Sequence, residues 1–126
     1  MSDDIKKKID VVFIAGGKFH DIDFARLEIL KLLAEDERMK TRVFEDYSNL
    51  HAIENADFLI TYTCDVRPTL EQQKALKKYV ASGKRWLALH GTNSILQFMS
   101  DGKVDSPRIA PIMMETLGSQ FIAHPP

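Results

Sequence analysis

The stretch Ile9–Ala15, IDVVFIA, ends at the glycine pair Gly16-Gly17, and a helical pattern follows soon after. A short, continuous apolar run rich in β-branched residues is typical of a strand that is buried on both faces. Strands of this kind belong to parallel sheets with helices packed on each side. The stretch therefore predicts the first strand of an α/β domain, with a tight turn at the glycines.

The same alternation of strand and helix continues along the chain. Further strands are expected at Thr41–Phe44, Phe58–Thr63, Trp86–Leu89 and Gln120–Ala123. Helices are expected over Phe24–Ala34, from Thr69 to Gly83, and over Thr92–Met99 and Pro111–Leu117, with a loop at Ser100–Pro107. Strands that alternate with helices predict right-handed βαβ units in a three-layer α/β domain. A flavodoxin-like order, 2-1-3-4-5, is the first choice among such topologies.

The two long helices carry recognisable start signals and apolar faces. Asp21 or Asp23 can cap the first helix, and Thr69 with Gln72 makes a capping box for the second. The inward stripe expected for the first helix is Phe24, Leu27, Leu30 and Ala34, widened by Ile29 and Leu33. For the second helix it is Leu76, Tyr79 and Val80, with Gly83 closing the helix.

Length and charge exclude several classes of protein. The 126 residues fit a single domain, 1–126, and the net charge of −1 offers no basic surplus for nucleic acid. Val11–Ala15 is far too short an apolar run to span a membrane or to serve as a signal peptide. The single cysteine, Cys64, cannot form an internal disulfide, which fits a cytoplasmic protein.

Polar residues gather where the predicted strands end. In open α/β sheets, ligands bind beyond the carboxyl ends of the strands, so these residues are the candidates for a site. We predict His90, His20 and Asp65 as catalytic residues. The predicted substrate-binding residues are Gly16, Gly17, Asp21, Thr63, Cys64, Gly91 and Thr92.

His90 follows a predicted buried strand and precedes Gly91 and a predicted helix, which is the arrangement of a nucleophile elbow. Histidine at that place is suited to act as a general base or a metal ligand rather than as a covalent nucleophile. The alternative is a histidine that is hydrogen-bonded for structural reasons. Similarly, Gly16-Gly17 can bring backbone N–H groups near an anion, or can simply form a turn that only glycine fits.

A metal site is a further hypothesis for the same edge. His20, His90 and His124 all follow predicted strands, and three imidazoles can hold a divalent metal such as zinc with a position open for water. Asp21 and Asp65 are then acid/base candidates or supports for the ligands, although each can equally be a cap or turn residue. Cys64 is more typical of a small buried side chain than of a reactive thiol.

Five segments resemble the ThuA-like family, named for trehalose utilisation. They are AGGKFHD (15–21), VFEDYSNL (43–50), TYTCDVRPTLEQ (61–72), WLALHGTNS (86–94) and LGSQFIAHPP (117–126). The family is similar in fold to class I glutamine amidotransferases, and its members commonly carry histidine where those enzymes have their catalytic cysteine. By this resemblance His90 matches that elbow, His20 the histidine of the first GG-containing loop, and His124 that of the HPP motif.

The resemblance implies a role in carbohydrate metabolism, on trehalose or a related sugar derivative. Members of the family normally continue past the HPP motif, so the far edge of the sheet is expected to be incomplete here. An exposed last strand at Gln120–Ala123 would favour a homo-oligomer. Two other functions remain open: a non-catalytic module or inactive fragment that binds a ligand or partner, and a hydrolase that uses Cys64.

Overall fold

The computed structural model describes residues 7–102, 104–105 and 109–122. Its centre is a parallel sheet of four strands in the order β2-β1-β3-β4. The strands are β1 (Ile9–Gly17), β2 (Met39–Phe44), β3 (Phe58–Cys64) and β4 (Arg85–Leu89). This order agrees with the first four positions of the flavodoxin-like arrangement, and the predicted α/β class is confirmed.

Helices cover both faces of the sheet, which makes three layers. They are α1 (Ile22–Ala34), α2 (Leu50–Asn55), α3 (Leu70–Ala81) and α4 (Pro111–Leu117), with a short 3-10 helix at His90–Asn93. On one face, α1 packs over Val11, Phe13 and Ile60. On the other, α2, α3 and α4 enclose a second apolar cluster that includes Ile14, Leu59 and Met113. The core therefore lies on both sides of β1 and β3.

The predicted starts of the two long helices are confirmed. The Asp21 carboxylate accepts a hydrogen bond from the backbone N–H of Phe24 at the start of α1. The Thr69 hydroxyl and the Gln72 side chain form the reciprocal capping box of α3. After α3 the chain turns at Gly83, whose φ of 94° suits glycine.

The inward stripe predicted for α1 was wrong at Phe24, Leu27 and Ala34, which are all exposed. Phe24 and Leu27 are 61% and 52% exposed, whereas Ile29, Leu30 and Leu33 face the sheet. The Asp21 cap makes Ile22 the first helical residue, and Ile22 packs on the same cluster. The apolar residues of α1 therefore extend around the helix, and their spacing alone gave the wrong phase.

The chain after β4 also differs from the sequence-based expectation. The helix predicted over Thr92–Met99 is wrong, because the 3-10 helix ends at Asn93 and a short strand, β5 (Gln97–Phe98), follows. The Asp65 N–H donates to the Ser94 carbonyl, and the Leu96 N–H donates to the Asp65 carboxylate. These bonds hold the segment in an extended conformation.

The predicted loop Ser100–Pro107 contains β6 (Val104–Asp105), which pairs antiparallel with β5. The fifth strand predicted at Gln120–Ala123 is not formed over its described part, which ends at Ile122. Phe121 donates one backbone hydrogen bond to the Asn93 carbonyl instead. The helix predicted at Pro111–Leu117 is confirmed as α4, while α2 was not predicted.

Candidate functional site

Three non-glycine residues with left-handed backbone conformations lie at the carboxyl edge of the sheet. Phe19 follows β1 with a φ of 68°, Asp65 follows β3 with a φ of 57°, and His90 follows β4 with a φ of 51°. Such conformations cost of order 1–2 kcal/mol each and tend to cluster where function constrains the backbone. The backbone of the described residues therefore indicates a functional site at this edge.

At this edge the side chains of His20 and His90 meet. Their Nε2 atoms are 3.1 Å apart, within hydrogen-bond distance, and the rings are nearly perpendicular at 84°. Tyr62, on β3, stacks almost parallel to His90 with ring centroids 5.5 Å apart. The sheet thus brings together the two histidines that were predicted to share a site, and both remain exposed to solvent.

The Nε2–Nε2 contact determines how two neutral rings share their protons. One ring must donate from Nε2–H and the other must accept at a bare Nε2, so their Nδ1 atoms carry opposite states. One Nδ1 is then a free base and the other an N–H donor. Burial and, second, the neighbouring charge of His90 lower the pKa of His20. Both effects favour a neutral His20 ring near pH 7.

The local structure around His90 agrees with an elbow between a strand and a helix. The backbone turns at His90 with a left-handed φ and enters the 3-10 helix directly. A Cβ at Gly91 would lie 2.7 Å from the Thr63 carbonyl oxygen, so only glycine fits against β3 there. Thr92 donates its hydroxyl to the Leu89 carbonyl at 2.8 Å, which fixes the turn from inside.

Asp65 lies at the same edge of the sheet, but its hydrogen bonds and ion pairs involve neither histidine ring. Its carboxylate pairs with Lys18 at 3.2 Å and with Arg67 at 3.2 Å, and it accepts from the Leu96 N–H at 2.9 Å. Burial by itself raises the pKa of Asp65, but the Leu96 hydrogen bond and the two cations hold it below the usual range. Asp65 therefore joins three loops of the carboxyl edge as a charged anchor.

The glycine pair is explained by the close approach of neighbouring backbone. A Cβ at Gly16 would lie 2.3 Å from the Glu45 carbonyl oxygen, and one at Gly17 would lie 1.9 Å from that of Cys64. The next N–H, that of Lys18, donates to the Cys64 carbonyl at 3.0 Å. Of the two alternatives, the structure gives a physical reason for the tight turn. Substrate binding at Gly16 and Gly17 stays a prediction.

The other predicted binding residues are engaged within the fold. Asp21 caps α1, and the side chains of Thr63, Cys64 and Thr92 are buried. Burial and, second, the negative charge of Asp65 raise the pKa of the Cys64 thiol, despite the opposing effect of Lys18. A protonated, buried thiol is a poor nucleophile. This environment gives no support to a hydrolase based on Cys64.

Two neighbours of the site were not predicted. Tyr62 stacks on His90, and Lys18 pairs with Asp65. Alternation along β3 could have indicated Tyr62, because it shares the α1 face of the sheet with Phe58 and Ile60. No signal in the sequence pointed to Lys18, because its role depends on the loop after β1 reaching the end of β3.

The metal hypothesis is compatible with His20 and His90, the two predicted ligands that the structure describes. Two ligands at about 2.0–2.1 Å from one zinc ion, with nitrogens 3.1 Å apart, subtend an angle of about 100° at the metal. The predicted third ligand, His124, lies outside the described residues. Over the residues that are described, no group of three or more His, Cys, Asp or Glu side chains is placed to hold a metal.

Comparisons with known proteins give no family assignment. Neither the scan against protein-family models nor the searches of curated proteins and solved structures found a match. The ThuA-like resemblance therefore depends on the five sequence segments alone. None of the helices in the described part of the chain has the length and apolar character needed to cross a membrane.

Proposed function

We propose that this chain is a ThuA-like protein of carbohydrate metabolism that uses His20 and His90 as a paired acid and base on a sugar derivative. The observation that carries the proposal is the 3.1 Å contact between the two Nε2 atoms at an open sheet edge. The class of substrate comes from the resemblance to the ThuA-like family. A cytoplasmic location agrees with the single, unpaired cysteine.

The chemistry follows from the opposite proton states of the two Nδ1 atoms. Among the described residues, neither Nδ1 has a hydrogen-bond partner, so both are available to a substrate. The bare Nδ1 removes a proton from a hydroxyl-bearing carbon next to a carbonyl group, while the other Nδ1–H donates its proton to the carbonyl oxygen. The shared proton moves across the Nε2–Nε2 contact in the same step, so both rings stay neutral. The product is an enediol. Return of the two protons regenerates both rings and needs no other reactant.

His20 and His90 would also hold a divalent metal such as zinc through their Nε2 atoms. A bound metal would polarise a carbonyl oxygen or activate a water molecule. In that state the shared proton is absent from between the rings. The metal content of the purified protein should therefore be measured together with its activity.

Exchange with solvent deuterium tests the proposal without a known product. Trehalose, glucose and keto derivatives of both are incubated with the protein in D2O, and NMR follows loss of the proton next to the carbonyl group. We expect exchange only with the keto derivatives. His20→Gln and His90→Gln should each lower its rate by about 100-fold or more.

The control is Lys77→Gln, which alters an exposed residue of α3 on the other face of the sheet. It should exchange at the rate of the unaltered protein. Absence of exchange with all four sugars, or exchange that survives both histidine substitutions, would overturn the assignment.

A second candidate function is a partner-binding module, and the outer edge of β4 favours it. In the described part of the chain no strand pairs with that edge, and Leu87 at its centre is 54% exposed. Unpaired strand edges bind other strands, and a second copy of this chain offers an identical edge. We expect a dimer by light scattering at about 100 µM and a monomer for Leu87→Lys. A monomeric unaltered protein would contradict this candidate.

A further inference from the structure

A cleft at the opposite end of the sheet contains two basic side chains that form no ion pair with any of the described residues. It lies between α2 and the first halves of β1 and β2 and has a volume of about 140 Å³. Its polar lining consists of Asp10, Lys40, Arg42, His51 and Asn55. One water molecule takes about 30 Å³ in the liquid, so the cleft has room for a group of several atoms.

Lys40 and Arg42 reach the cleft because they alternate with Thr41 along β2 and so share the α2 face of the sheet. Within residues 7–102, 104–105 and 109–122, neither side chain forms an ion pair or a hydrogen bond. Two residues on one face of a strand are about 6.6–6.8 Å apart, which lets two cations flank one tetrahedral anion.

His51 adds a donor to the same wall. The side-chain NH2 of Asn55 donates to the His51 carbonyl at 2.7 Å and lies 3.4 Å from His51 Nδ1. With Nδ1 facing that donor, the proton of the neutral ring is on Nε2, where it can be donated to a ligand. The negative charge of the Asp10 side chain repels an anion in the cleft. The backbone N–H of Asp10 donates a hydrogen bond to the Asp57 carboxylate at 2.7 Å.

We propose that this cleft binds the phosphate group of a small phosphorylated ligand through Lys40, Arg42 and His51. A phosphate monoester carries up to two negative charges near pH 7, and the two unpaired cations match it better than they match one carboxylate. Asp10 lies beside Lys40 in the register of β1 and β2, so it limits the affinity. The site is separate from His20 and His90 and does not depend on the function proposed for them.

A titration with inorganic phosphate, followed by NMR of the backbone amides at constant ionic strength and pH 7.5, tests this site. We expect saturable shifts at residues 40, 42 and 51. The double variant Lys40→Gln with Arg42→Gln should bind about tenfold more weakly. Asp10→Asn should bind about threefold more tightly, because it removes the opposing charge.

The matched control removes two positive charges elsewhere. Lys74→Gln with Lys77→Gln alters exposed residues of α3 and should leave the affinity within about twofold. Equal weakening in both double variants, or shifts that do not saturate, would show that phosphate only screens surface charge and would overturn the proposal. Equal binding of acetate would overturn the assignment to phosphate.

Discussion

At the scale of single residues, the carboxyl edge of the sheet combines strained backbone conformations with charged side chains. His90 has a left-handed backbone at the point where its ring meets His20, and Asp65 has one where its carboxylate joins three loops. Each conformation costs free energy, so neighbouring contacts must hold it. For Asp65 those contacts are visible: Lys18, Arg67 and the Leu96 N–H all approach its carboxylate.

Asp65→Asn tests the anchor. The substitution removes the charge that pairs with Lys18 and Arg67, and we expect a loss of about 1–3 kcal/mol in the free energy of unfolding at pH 7. Because the pKa of Asp65 is lowered in the folded state, its contribution is complete above about pH 4 and is lost as the pH falls through the folded-state value.

Urea unfolding at pH 7 and pH 3 measures both effects. The difference between Asp65→Asn and the unaltered protein should narrow at the lower pH. Asp23→Asn, which alters a side chain that is 89% exposed and paired with Arg26, is the control and should change little. A difference that is equally large at both pH values would contradict the role of the charge.

At the scale of elements, α1 is where the structure and the sequence pattern disagree most. The helix carries apolar residues on its exposed side as well as on its buried side, with Leu27 52% and Leu33 9% exposed. Leu33→Ala should lower the free energy of unfolding by about 2–4 kcal/mol, because it leaves a cavity beneath the helix. Leu27→Ala, the same change on the outer face, should cost less than about 0.5 kcal/mol.

Thermal or urea unfolding of the two leucine variants decides the phase of α1. Similar losses in the free energy of unfolding for both variants would mean that Leu27 also packs against the sheet, as the spacing alone predicted. A large loss at Leu33 only would confirm the phase that the Asp21 cap and Ile22 impose.

The buried strands were predictable because their apolar runs carry the signal locally. Many β-branched residues occur in Ile9–Gly17 and Phe58–Cys64. The capping box at Thr69 depends only on Gln72, three residues later, so it is also a local signal. The segment after β4 was not predictable. Its conformation depends on Asp65, some 30 residues earlier, bonding to Ser94 and Leu96.

At the scale of the whole molecule, the sheet order explains why residues 70 positions apart meet. β3 lies between β1 and β4, so the loops that carry His20 and His90 extend over the end of one strand, with Tyr62 beneath His90. The shared sheet edge could be predicted from alternating strands and helices. The 3.1 Å contact between the Nε2 atoms of His20 and His90 could not be predicted, because it depends on the left-handed turn at His90.

The proton states of the two rings test the central claim most directly. Nitrogen-15 NMR of the histidine side chains, recorded from pH 5 to pH 8, identifies which ring nitrogen carries the proton and gives each pKa. At pH 7 we expect His20 and His90 in opposite tautomers, with the pKa of His20 below 6.5 and higher in His90→Gln. The same tautomer on both rings, with a pKa of His20 that His90→Gln leaves unchanged, would contradict the account.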